Sequence, residues 1–397
     1  MSTTAEQMRA WTGPAVLSFG FRPFFLLAGL WAALSMILWV AMLAGRLDLP
    51  TAFDPVSWHA HEFVFGYLGA VAGGFLLTAV PNWTGRLPIV GWPLGGLAAL
   101  WLLGRAAVLV SGVLTPLTVA LADLSFLVVL AAVIAREILA GRNWRNLPVL
   151  AMLCLLIAGN ALFHWQAAQG LYAAGAAGLR LGLAAGVLSI SLIGGRIVPS
   201  FTRNWLVRQG HTDRPAPFSR FDKAAIAVTA VTLLIWVPAP HHPVTAAALL
   251  VTGLLQLTRL ARWSGHRTLS EPLVWVLHAG YAFVPLGALA LGVATLAGGP
   301  ALIPAQHLWM AGAIGVMTMA VMTRATLGHT GRALAAGPGT AAVYLALIAS
   351  VATRFAAGLA PGAEPALSTG AGLLWIAAFL GFTALYGPDL LTRRKTG

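Results

Sequence analysis

Charge is scarce in this chain and cysteine nearly absent: 9% of the 397 residues are charged, and Cys154 is the one thiol. Soluble domains carry roughly 25% charged residues, so a water-exposed globule is excluded. A single cysteine excludes an intrachain disulfide and any zinc or iron–sulfur centre built on several thiolates. The short alternating segments of a membrane barrel are missing, as are a phosphate-binding loop and a Ser/His/Asp catalytic arrangement. No Pro-rich or Ser-rich linker divides the chain and no internal repeat stands out, so residues 1–397 read as a single membrane domain.

What the chain does have is apolar length. It is 59% hydrophobic, with a mean hydropathy of +0.83. Its apolar runs recur near the ~20 residues that carry a helix across a bilayer. Backbone polar groups in lipid must be satisfied internally, which predicts an all-α, polytopic integral membrane bundle. We expect about twelve spans, near 24–45, 57–80, 92–111, 115–136, 147–169, 176–199, 223–239, 243–261, 272–296, 304–325, 339–360 and 367–387. Residues 1–20 hold no apolar stretch ahead of the first span, so that span is expected to direct insertion rather than a cleaved signal peptide.

The net charge of +13 invites a nucleic-acid reading, but its distribution opposes one. With the N-terminus inside, the inner segments hold Arg9, Arg22, Arg86, Arg136, Arg142, Arg145, Arg203, Arg208, Arg214, Arg220, Lys223, Arg259, Arg262, Arg267, Arg324, Arg332, Arg393, Arg394 and Lys395, and the outer segments hold only Arg46. That asymmetry is the positive-inside pattern, with both termini cytoplasmic and the lipid bilayer as the surrounding partner. Arg105, Arg180, Arg196 and Arg354 are left over. Arg105 and Asp123 fall at similar depths in neighbouring spans, which reads as a paired ion. Arginine forks also bind carboxylates, so Arg105, Arg180 and Arg354 are candidates to hold the propionates of a haem.

Histidine carries most of the remaining chemistry. His59, His61, His164, His278 and His307 lie inside or at the mouths of spans, where an ionisable residue is costly without a partner, and neutral imidazole is a common metal ligand. On this topology His59, His61, His164 and His307 share one level near the outer surface, and His278 lies deeper. Helical spacing sends His61 one way and His59, with Glu62, another. Glu62 can orient an imidazole or donate a proton. Taken singly, each histidine reads more readily as a hydrogen-bonded interhelical residue than as a ligand, and four at a shared depth bring the two readings level. Phe65 stands where a His-Glu-x-x-His zinc motif would need histidine. Met310, Met317, Met319 and Met322 read as packing.

Three inner motifs share Asn-Trp and Thr-Gly-Arg vocabulary: Pro81-Asn82-Trp83-Thr84-Gly85-Arg86, Pro199-Ser200-Phe201-Thr202-Arg203-Asn204-Trp205, and Leu327-Gly328-His329-Thr330-Gly331-Arg332. They read as interfacial anchors and helix caps. Together with Phe19-Gly20-Phe21-Arg22-Pro23-Phe24-Phe25, Trp58-His59-Ala60-His61-Glu62, Gly194-Gly195-Arg196-Ile197-Val198 and Leu277-His278-Ala279-Gly280-Tyr281, they resemble the NnrS family over nearly the whole chain. The resemblance implies a bacterial inner-membrane protein containing haem b and copper, associated with nitric oxide, denitrification and nitrosative stress, with a denitrification or respiratory partner. It implies that metal ligands are among the five histidines without assigning them. The alternatives are a transporter or metal- and haem-handling protein that uses the histidines as a transient site, and an assembly partner of a denitrification complex.

Overall fold

A computed structural model describes residues 10–86, 88–298 and 301–393. Every long element among them is a helix, and no strand occurs. We number the spans α1 (Phe21–Leu43), α2 (Pro55–Thr84), α3 (Trp92–Leu109), α4 (Pro116–Ala140), α5 (Leu147–Ala168), α6 (Ala177–Arg208), α7 (Arg220–Trp236), α8 (Pro243–Ala261), α9 (Pro272–Ala297), α10 (Leu302–Thr330), α11 (Pro338–Ala357) and α12 (Glu364–Leu391). Eleven have the length and hydropathy to cross a membrane, and α7 is the short one at 17 residues. The chain is thus a multi-pass membrane bundle.

Local chemistry sets the helix starts. Asp54 accepts hydrogen bonds from Val56 and Ser57 N–H, and Pro55 occupies the first turn, so α2 begins two residues before the predicted span. That cap fixes where His59 and His61 project. Thr115 with Pro116 starts α4 the same way, and Ser219 with Asp222 forms a capping box at α7. At the other end, α2 runs past residue 80 through its inner motif and stops at Gly85, whose φ of 70° suits glycine.

Three spans depart from α geometry. Glu62–Tyr67 in α2, Ile190–Gly194 in α6 and Leu308–Val316 in α10 are π-helical, a rare form frequent at functional sites. These are also the most enclosed spans. In their most apolar windows 72%, 61% and 72% of residues are buried, against 28–50% elsewhere. Buried side chains take up carbonyls of the first two π segments: Trp101 Nε1 donates to Gly66 O at 3.0 Å and Arg259 Nη1 to Ser191 O at 2.8 Å.

The chain falls into two compact units. The first comprises residues up to 185 with 325–333 and 382 onward, and the second 186–324 with 334–381. In the first, Trp58, Val108 and Val119 form a cluster joined by Leu38 and Trp39, and Arg22 Nη1 caps the end of α12 by donating to the carbonyls of Asp389, Leu390 and Thr392. Helices α5 and α6 touch backbone to backbone, since a Cβ on Gly159 would lie 2.6 Å from Gly182 N. In the second, α8 and α9 pack as closely: a Cβ on Gly292 would lie 3.0 Å from Ala246 O.

Overpacking a tight crossing costs about 1–3 kcal/mol. We therefore expect Gly159→Val to lower the melting temperature of the detergent-purified protein. Gly96→Ala should leave it unchanged or raise it, because nothing lies within 4 Å of that Cβ position and alanine favours helix by up to about 1 kcal/mol. Equal effects would contradict the α5–α6 contact.

Candidate metal centre

Two carboxylates, one guanidinium and two imidazoles meet inside the first unit. His61 and Glu62 come from α2, Arg105 from α3, Asp123 from α4, and Asn160 and His164 from α5. All six are buried, His61 and Glu62 completely. Arg105 Nη1 donates to both Glu62 oxygens at 2.6 Å, and its Nη2 donates to Asp123 Oδ1. The paired ion expected for Arg105 and Asp123 is present, and Glu62 completes it.

Each partner is held from a second side. Trp31 Nε1 donates to Glu62 Oε2 at 2.7 Å. Asn160 Nδ2 donates to Asp123 Oδ2 at 2.7 Å, which turns its Oδ1 toward His61 Nε2 at 3.0 Å. His61 Nδ1 faces Glu62 Oε1 at 3.0 Å, and its Nε2 faces Asp123 Oδ2 at 3.1 Å. His164 Nε2 lies 2.9 Å from the same Asp123 oxygen. Every group around His61 is an acceptor, so only a ring with both N–H protons satisfies them all.

The electrostatics follow from the count. Glu62 and Asp123 bring two negative charges against the single positive charge of Arg105. An uncompensated buried charge costs several kcal/mol, so the centre favours one more cation, either a proton on imidazole or a metal ion. One donor atom each from His61, Asp123 and His164 lies within 4.8 Å of the others. Glu62 on Nδ1 leaves Nε2 of His61 for a metal, the usual way a carboxylate orients a ligating imidazole. Two imidazoles and a carboxylate suit copper(II), iron(II) or zinc, and no thiol contributes, since Cys154 is exposed.

A cavity of about 60 Å³ borders this centre at His164. Phe53, Ser111, Pro116 and Val119 line it, from the loops before α2 and α4 and the first turn of α4. That volume is on the order of two water molecules, well below the ~300 Å³ where cofactor pockets begin. Phe53, Phe65 and Phe163 close on His61 with ring centroids 5.1–5.6 Å away. The centre therefore fits a bare ion and a small molecule, and it does not fit a haem.

The other predicted residues lie elsewhere. His59 projects away from His61 and stacks on Trp39, centroids 4.4 Å apart. His278, in the second unit, meets Thr202 Oγ1 at 2.7 Å; Thr202 donates to Val198 O, so His278 Nε2 donates to Thr202. A Cβ on Gly265 would lie 2.5 Å from its other ring nitrogen. His307 is in the second unit and half-buried. Arg180 donates to Gly175 O, and Arg354 is half-buried. His329, in the third inner motif, sits in the last turn of α10 with its ring 5.4 Å from those of Phe19 and Phe21, because α10 continues to Thr330. Asp123 as a ligand and Trp31 as a support were not anticipated. The cost of a lone carboxylate inside a span signals Asp123, whereas nothing sets Trp31 apart from other apolar tryptophans.

Removing Arg105 leaves two buried carboxylates facing each other, a loss of about 3–5 kcal/mol. We expect Arg105→Met to reduce thermal stability sharply, and Glu62→Gln with Asp123→Asn in the same chain to restore most of it. Failure of that triple variant to recover would contradict charge compensation as the reason for the cluster.

No curated protein matches the sequence. A family model described as NnrS protein matches residues 15–394, nearly the whole chain. The chain belongs to the NnrS family.

Proposed function

We propose that this protein is a haem- and copper-containing protein of the bacterial cytoplasmic membrane, with both termini in the cytoplasm, that binds nitric oxide near the periplasmic side. Given an electron donor such as a respiratory or denitrification partner, it reduces nitric oxide there and protects against nitrosative stress. NnrS membership supports the nitric oxide response. The excess negative charge at His61, Asp123 and His164 carries the metal reading.

In this reading His61, Asp123 and His164 would hold copper, which would supply one-electron chemistry. The protein's own groups do the rest. Glu62 fixes the ring of His61, Arg105 holds Glu62 and Asp123 in place, and Asn160 sets which Asp123 oxygen faces the imidazoles. The phenylalanines around His61 keep bulk water out, and the cavity at His164 admits a diatomic molecule. Glu62 acts as an orienting group, because both its oxygens are taken by Arg105, Trp31 and His61.

Metal content per protein tests this. Wild type should retain copper through purification at a fixed ratio, and His61→Ala, His164→Ala and Asp123→Asn should each lose at least about tenfold in affinity, with Glu62→Gln losing about 10–100-fold as an outer-shell partner. Its visible spectrum should change on adding nitric oxide. A metal that washes out at variable ratio would instead favour a transporter or metal-handling protein, and wild type without copper or haem in any host would end the proposal.

A further inference from the structure

Two spans of this chain repeat one another. Setting His61 on His307 also sets Gly66 on Gly312, Gly69 on Gly315 and Thr84-Gly85-Arg86 on Thr330-Gly331-Arg332, without a gap. The structure extends the match beyond sequence. Each histidine stands directly before a π segment. Gly85 and Gly331 have φ of 70° and 73°. Arg86 pairs with Glu137 near the end of α4, and Arg332 with Asp389 near the end of α12. Arg105 lies in the last turns of α3 and Arg354 in those of α11, while Asp123 and Glu364 lie early in α4 and α12. Seven identities, Ala79 on Ala325 among them, scattered through apolar filler do not stand out in the sequence alone.

We infer that His307 is the counterpart of His61 and ligates a second metal centre of a different kind, one that brings most of its own ligands and carries anionic groups. Within the haem–copper reading, on which this rests, that centre is the haem. The differences between the two copies point this way. Leu308 stands where Glu62 stands in the first copy, and His307 belongs to no group of three close metal-ligating side chains among the described residues. One imidazole alone is a poor holder of a bare ion but a sufficient axial ligand for a metallated macrocycle. His307 Nδ1 lies 2.8 Å from Ile303 O. A carbonyl only accepts, so the proton is on Nδ1 and the Nε2 lone pair is left for iron. His307 is half-buried, unlike the fully enclosed His61. Arg354 lies within electrostatic range of it, where a guanidinium suits the carboxylates of such a group. Arg105, its counterpart, is already committed to Glu62 and Asp123.

The test uses the full chain purified in detergent, with haem read from its absorption and copper by metal analysis. His307→Gly should lose at least tenfold of its haem while keeping its copper, and added imidazole should restore the haem band by filling the space the ring vacated. His61→Ala should do the reverse, keeping haem and losing copper. Haem retained at the wild-type level in His307→Gly overturns the inference and leaves the haem–copper reading standing. Haem loss that imidazole does not reverse also overturns it. Wild type that carries copper but never haem overturns both.

Discussion

The candidate centre depends on Arg105 lying between Glu62 and Asp123. Two carboxylates in the membrane interior repel each other and lose hydration, and neither is tolerable without a cation. One guanidinium neutralises one of the two charges and fixes the geometry of both. The remaining negative charge makes the adjacent imidazoles a cation site. α2, α3, α4 and α5 each contribute to this arrangement, so their packing and the charge balance support each other.

The same constraint explains why α2 is built as it is. The Asp54 cap fixes the start of the helix, and the π segment that follows His61 adds a residue to the turn carrying Glu62 and Gly66. At Gly66 a Cβ would lie 2.6 Å from Arg105 Nη1, so the guanidinium reaches Glu62 only across a glycine. Trp101 satisfies the Gly66 carbonyl. A regular α-helix with a larger residue at 66 would not place these groups together.

Much of the fold was legible in the sequence because membrane helices announce themselves by length and hydropathy. The span order and most boundaries follow from apolar runs of about 20 residues. The extended ends of α2, α6 and α10 do not, because their inner motifs are polar yet helical. The π segments have the same composition as the α-helix around them and left no trace. That His61 and His164 share a level was also readable, but azimuth was not. A helix apolar all round gives no sign of which face meets which neighbour. Hence of the four histidines assigned one level, His61 and His164 meet, His59 turns to Trp39, and His307 belongs to the other unit. The Arg105–Asp123 pair was foreseen from depth alone, and Glu62 as its third member required the coordinates.

X-ray absorption at the copper edge of the purified wild-type protein tests the central claim most directly. The account predicts a first shell of nitrogen and oxygen only, with outer-shell scattering from two imidazoles, as His61, His164 and Asp123 would supply. Sulfur in the first shell, or no imidazole scattering, would contradict it.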